Sequence, residues 1–484
     1  MSIYQQLFKN KIAYYSMLFL LFMGFVAIYA PLIANNKPFI IRTKNKIIYT
    51  DYLDSSISTL KLIQKNLNNK QQKISKNLKW VKTSINEVSK LISNKDLSKK
   101  LKSCQIHRTY EDNTKLSELI LLLEKCYDEP LKYRTFFPIF KSLTNNDIFF
   151  MLILPFFALV FLFRKKIKVL KKLTKYEYIL AAIFMSLLFT IALSIFKTQR
   201  FDPYPYKKIA SEFQKGEWAL FPIVPFGENE NIITESKQAP TLFIAKKNYA
   251  KNQNFHLLGT DMNGRDVLAR MIYGARISMS IGFVAVSIYV LIGIFLGSIA
   301  GYYGGKSDMI ISRLMEIVIC FPVFFLILTV MAFLRPSIFN IMIIIGLTGW
   351  PSIARLMRGE FFRLRSREFV LAAKAMGGSD LRIIFKHIIP NGITPIIISA
   401  TFGIAGAILT ESSLSFIGFG VPQPTASWGE ILNNGRNDIY GSWWLTVFPG
   451  IAIFLTVTAF NMIGETLRDI LDPRLRGVLS HKRK

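Results

Sequence analysis

Between Ile277 and Ala300 the chain reads ISMSIGFVAVSIYVLIGIFLGSIA, twenty-four residues without one charged side chain. A helix of that length is roughly 36 Å long, enough to cross the ~30 Å hydrocarbon core of a bilayer. Seven more stretches are apolar enough to read as spans: Ile12 to Ala34, Ile148 to Phe163, Tyr178 to Phe196, Met309 to Leu334 with Arg313 and Glu316 near its start, Ile338 to Met357, Gly392 to Phe416 interrupted by Glu411, and Trp443 to Gly464. The first is too long for the h-region of a cleaved signal and is expected to stay as an anchor. Ile148 to Phe163, with sixteen residues, is the shortest and could also be re-entrant. Eight spans in 484 residues describe an all-α polytopic membrane protein. Composition agrees, since 51% hydrophobic side chains and forty Phe exclude a disordered or nucleic-acid-tail protein. Three cysteines (Cys104, Cys126, Cys320) cannot staple such a chain, and four histidines (His107, His256, His387, His481) form no cluster at metal-ligand spacing.

The formal charge of +30 then speaks first to orientation. Arg164 to Glu177, Arg358 to Lys386 and Arg468 to Lys484 are short and basic, and all fall on one side if the N-terminus, with Lys9 and Lys11, is cytoplasmic. Both termini are therefore expected in the cytoplasm, with residues 35–147 outside, where the basic bias is weak for translocated segments longer than ~60 residues. Within that outer segment, residues 56–102 carry a heptad seam (Leu60, Leu67, Ile74, Val81, Val88) on a long helix, and Lys115 to Tyr127 could fold back on it as a hairpin. Cys104 and Cys126 flank the turn of that hairpin and are expected to pair in an oxidising exterior. Residues 197–262, with Pro203, Pro205, Pro222, Pro225 and Pro240, read as irregular structure. The domain plan is thus 1–34, first span; 35–147, outer helical insertion; 148–196, inserted hairpin of two spans; 197–262, outer irregular segment; and 263–484, transmembrane core with a cytoplasmic loop at 358–390.

Chemistry is sparse. Gly301 to Ser307 (GYYGGKS) has three residues between Gly301 and Gly305, one fewer than a phosphate-binding loop needs, and no strand before it. No Gly-x-Ser-x-Gly elbow or His-Glu-x-x-His pair is present, so no catalytic residue is assigned. Arg313 and Glu316 can pair on one helix face near a cytoplasmic end, and Glu411 lies deeper, where it could line a pathway or cap a local break. Asp266 and Arg270, with Val267, Leu268, Met271 and Ile272, suit a helix lying along the interface before the next span. The most informative loop is SREFVLAAKAMGGSDLRIIFKHIIPN, Ser366 to Asn391. Glu368 to Met376 is helical in pattern, Gly377 and Gly378 break it, Ser379 or Asp380 can cap a second helix, and Pro390 marks the approach to the next span. From periodicity alone a solvated connector and a docking loop stay open.

The pattern Ala372-Ala373-(x3)-Gly377-(x9)-His387-x-Ile389-Pro390 resembles the "EAA" loop of ABC-importer permeases. Leu258 to Ser278, Gly301 to Asp308, Cys320 to Pro322, Glu411 to Pro422 and Leu467 to Gly477 agree in order with the C-type permease of oligopeptide and dipeptide importers. The opening IANNKPFIIR is similar to its Yej-type branch. The resemblance implies a six-helix permease core, with two further spans inserted here, and a coupling loop in which Glu368, Ala372, Ala373, Gly377 and Pro390 face an ATPase. It departs at Leu371, where the family has Glu. It further implies an inner-membrane importer subunit working with a second permease, two ATPase subunits that use ATP and Mg, an extracytoplasmic solute-binding protein and peptide cargo, with no nucleic acid. The rival expectation is a membrane-anchored sensor or scaffold with a coiled-coil outer domain. An ion-coupled carrier ranks last, since only Glu411 approaches mid-membrane.

Overall fold

The computed structural model describes residues 10–44, 57, 58, 60, 61, 120–124, 134–163, 175–196, 206–241, 255–334, 337–436 and 438–471. Most of the heptad-patterned stretch, the connector 164–174, Cys104, Cys126 and the tail 472–484 lie outside them. In chain order the elements are α1 (Lys11–Ile33), β1 (Ile40–Thr43), β2 (Arg134–Phe136), α2 (Asn145–Phe163), α3 (Lys175–Phe196), β3 (Trp218–Leu220), α4 (Val267–Tyr303), α5 (Gly305–Cys320), α6 (Val323–Phe333), α7 (Ile338–Leu364), α8 (Glu368–Ala375), α9 (Thr394–Ile417), α10 (Trp428–Gly435) and α11 (Trp444–Leu471). Among the described residues six helices, α1, α3, α4, α7, α9 and α11, are long and apolar enough to cross a membrane. The pair α5 and α6 meets the same criterion only taken together, as a broken span or a re-entrant loop, and α2 is a shorter apolar helix. The fold is that of a polytopic helical membrane protein with about eight spans.

Three expectations need correction. Met309 to Leu334 is not one helix: α5 and α6 meet at 80°, because Pro322 has no N–H to give and holds Phe321 in an extended conformation (φ −89°, ψ 129°). Asn263 to Arg276 holds no separate interfacial helix; from Val267 onward it is the beginning of α4, a single helix of 37 residues and roughly 55 Å. Residues 197–262 are less irregular than expected, since they contain β3 and the short helix Tyr206–Ser211. A three-residue strand is too short for alternation to show in sequence.

The chain divides into two compact units. One contains residues 35–149 and 156–225. Its sheet has the order β2-β1-β3, antiparallel throughout, with Ile41 opposite Phe136 and Ala219. Ile41 is buried against Tyr206 and Ile209. Two short helical pieces of residues 35–147 lie side by side in this unit, where Lys61 bridges to Glu124 at 3.0 Å and Leu60 and Leu123 are fully buried.

The other unit contains residues 1–34, 150–155 and 226–484. Its main core joins α4 and α7 through Ile281, Ala285, Tyr289, Ile345, Ile353, Met357 and Phe361. Two prolines shape how its helices attach. Pro31 cannot donate to the Ala27 carbonyl, and Arg276 of α4 donates to that oxygen through Nε at 3.0 Å. Pro155 likewise frees the Met151 carbonyl, which accepts from Tyr29 Oη at 2.9 Å. Inside a bilayer water cannot satisfy such freed carbonyls, so each proline calls for a polar side chain from a neighbouring helix.

Candidate functional site

At the C-terminal end of α7 the chain turns through Arg365 to Arg367 into α8, an eight-residue helix. Its Val370 and Ala373 face inward with Ile383, Ile384 and Ile388, while Leu371 is 53% exposed. The helix ends in a Schellman motif: the Gly378 N–H donates to the Ala373 carbonyl and the Gly377 N–H to that of Lys374, both at 3.0 Å. Gly377 has φ +76°, a left-handed conformation that a Cβ disfavours, although an added Cβ would meet nothing within 4 Å. At Gly378 the constraint is space, since a Cβ there would sit 2.8 Å from the Ala373 oxygen. The paired alanines therefore split, Ala373 inward and Ala372 outward, and Glu368 and Pro390 are exposed. Met376 (82% exposed), Leu381 and Phe385 form an apolar surface. Arg363, Arg367, Lys374, Arg382 and Lys386 stand exposed on the same loop.

The loop hangs from the corner between α4 and α5. Tyr302 Oη donates to Asp380 at 2.7 Å, and Arg365 Nη1 donates to the Gly301 carbonyl at 3.3 Å. Arg358 holds Asp308 with both arms of its guanidinium, and Arg358 and Arg365 flank the Phe362 ring at 4.9 and 4.7 Å. The stretch Gly301 to Ser307 is thus a helix corner that seats the loop. Behind it, Gly293, Gly297 and Gly301 line α4 at four-residue spacing and meet α7 backbone to backbone: an added Cβ would lie 2.6 Å from Ile353 at Gly293 and 2.5 Å from the Ala354 oxygen at Gly297. The sequence reading missed this ladder, although three glycines four apart in an apolar run were its signal.

The opposite end of α4 is a buried ionic knot. Asp266 caps the helix by accepting from the Ala269 N–H at 2.7 Å. Its other oxygen meets His256 Nδ1 at 2.8 Å, and His256 Nε2 meets Glu235 at 2.9 Å. Burial works against a charged imidazole there, but the hydrogen bonds to Asp266 and Glu235 and their charges outweigh it, so the His256 pKa is raised above its ordinary value. Arg270, fully buried, pairs with Glu430 of α10 and donates to the Glu228 carbonyl at 3.1 Å. Arg265 pairs with Asp261 at 2.6 Å. Gly264, at φ +70°, lies so close to the Ile232 carbonyl that no side chain fits. The Arg270 pairing was not legible from its spacing to Asp266, because Glu430 and Glu228 lie 160 and 42 residues away along the chain.

Glu411 of α9 is fully buried and accepts from Ser415 at 2.8 Å and Ser278 at 3.3 Å. Arg313 and Glu316 pair at 2.6 Å on α5, with both side chains more than half exposed. Cys320 is free and exposed.

Two family descriptions match: "Binding-protein-dependent transport system inner membrane component" over residues 293–477, and "N-terminal TM domain of oligopeptide transport permease C" over residues 2–53. The dipeptide transport system permease protein DppC of Alkalihalophilus pseudofirmus is 45% identical over 221 residues, 46% of this chain and 73% of that protein. The oligopeptide transport system permease protein OppC of Haemophilus influenzae is 42% identical over 224 residues, 46% of this chain and 72% of that protein. Among solved structures, an inward-facing form of the MetNI methionine ABC transporter covers 41% of this chain and 97% of its own, at 18% identity and a TM-score of 0.33.

Proposed function

Because the chain belongs to the family of binding-protein-dependent transport inner membrane components, among the permease C proteins of dipeptide and oligopeptide systems, we propose that it carries peptides across the cytoplasmic membrane as one of two permease subunits of an ATP-driven importer. ATP and Mg are used by two separate ATPase subunits, and an extracytoplasmic solute-binding protein delivers the cargo. The observation that supports this most directly is the loop built on α8. An apolar surface of Met376, Leu381 and Phe385 among basic side chains, held by a Schellman turn, fits the groove of a soluble partner. Glu368, Ala372, Ala373, Gly377 and Pro390 shape that surface. Closure of the ATPase pair moves the loop, and the glycine-packed α4 and α7 carry the movement through the membrane. Arg313 and Glu316 are candidates for the pathway wall. Glu411, enclosed by serines, acts as a gate support, holding the chain after α9 in place. No observation favours the anchored scaffold.

Gly377→Leu tests the reading. It forces a Cβ into a left-handed position without touching a span, so the variant should insert normally and lose ATPase association or transport. Wild-type transport together with normal ATPase binding by this variant would remove α8 as the coupling element.

A further inference from the structure

The helix α2 begins short. Its uncharged part, Ile148 to Phe163, gives roughly 24 Å of length against ~30 Å of hydrocarbon. Its start is closed by a reciprocal cap, in which the Thr144 N–H and Oγ1 donate to Asp147 at 2.8 and 2.7 Å and the Asp147 N–H donates to Thr144 Oγ1 at 3.1 Å. That cap hides the polar backbone which would otherwise hold the helix end out in water. Just before it stands the short helix Pro138–Ser142. Pro138 and Ile139 are buried, and the Ile139 N–H donates to the Pro38 carbonyl at 3.2 Å, which fixes the other face outward. On that face Phe137 and Phe140, three residues apart, are 50% and 55% exposed, beside the exposed Lys141. Along α2 itself Phe157 and Leu159 are exposed as well.

We propose that Pro138–Ser142 is an interfacial anchor whose Phe137 and Phe140 enter the bilayer leaflet from which α2 starts. The occupant of this surface is lipid rather than protein, because the two rings stand on the short helix that ends two residues before an apolar helix too short to fill the bilayer alone. Two aromatic rings at acyl depth, with a lysine able to reach headgroup phosphates, make up the missing apolar length. The anchor pins the base of the inserted unit to the membrane surface.

Site-directed spin labelling of the full chain in lipid nanodiscs tests this, with the three native cysteines replaced by serine. Single cysteines at Phe140, Phe137, Phe157 and Lys215 report lipid exposure through the ratio of oxygen to nickel-chelate accessibility. At 140 the ratio should fall within about twofold of that at 157 and well above that at 215, as expected for a ring at acyl depth. A ratio at 140 matching that at 215 overturns the proposal. Low accessibility of 140 to both reagents also overturns it, because that marks a protein contact. If Phe140→Cys fails to insert, Phe137→Cys carries the same comparison. A water-like ratio at 157 would instead show that α2 is not a span, which separates that failure from failure of the anchor.

Discussion

Gly377 and Gly378 are neighbours with different duties, and substitution should separate them. Gly377→Ala adds a Cβ into open space but at φ +76°, so it should cost about 1 kcal/mol, a purely conformational loss. Gly378→Ala places its Cβ against the carbonyl to which Gly378 itself donates, and should shift the turn as well as destabilise it. Thermal unfolding in detergent, read beside ATPase association, distinguishes the two. Leu371→Glu, which restores the residue common in this loop, should change stability by less than ~0.5 kcal/mol, because Leu371 is exposed. At the other end of α4, His256 gives a pH signature. Its pKa is raised in the folded state, so its stabilisation is fully present below the unfolded value of about 6.5 and is lost as pH rises through the folded value. Wild type and His256→Gln should therefore differ most in melting temperature at mildly acidic pH and converge in alkali. A constant difference across the titration would show that the histidine is not charged between Asp266 and Glu235.

At the scale of elements, the tightest join is between α4 and α7. Gly297→Leu must push the helices apart at the Ala354 backbone, and overpacking of this kind costs about 1–3 kcal/mol. A lower melting temperature together with weaker coupling of ATP hydrolysis to transport is expected; unchanged coupling would mean that the pair does not transmit loop movement. The proline-freed carbonyls give an independent test. Arg276→Leu leaves the Ala27 oxygen without its guanidinium donor, a loss of about 1–3 kcal/mol for a buried acceptor. In a Pro31→Ala background the helix supplies its own N–H, so the same substitution should cost less. A double-mutant cycle with no coupling between the two positions would refute this account of how α1 is held.

For the whole molecule, we propose that both ends of the chain lie in the cytoplasm, on the argument that an even number of spans returns the chain to its starting side and that three short basic segments fall on that side. Thiol labelling of intact cells should reach a cysteine at position 90 but not one at 170. Reversed access would invert the topology. Since Gly301 to Ser307 is a helix corner tied to Arg365, the purified chain should show no saturable nucleotide binding, measured with a fluorescent ATP analogue. Binding that disappears in Lys306→Ala would contradict this.

The helical, polytopic type of the fold, with about eight spans, was legible in the sequence, because a bilayer imposes one demand that a local apolar run meets by itself. The turn at Gly377 was legible for the same reason: helix formers followed by glycine are a local signal. Four glycines and prolines carried part of a message whose other half lay elsewhere. Gly293 and Gly297 announced a close approach without naming α7, and Pro31 and Pro155 announced free carbonyls without naming Arg276 and Tyr29. Pro322 announced a break without giving its 80° angle, and the three-stranded sheet joins strands from three distant places in the chain. Arg270 shows the limit most clearly. Its spacing from Asp266 suited a helix lying along the interface, yet it is fully buried against Glu430, 160 residues away. A buried charge is stable only when an opposite charge and hydrogen-bond acceptors converge on it, and convergence from distant segments is a property of the tertiary structure that no local pattern contains.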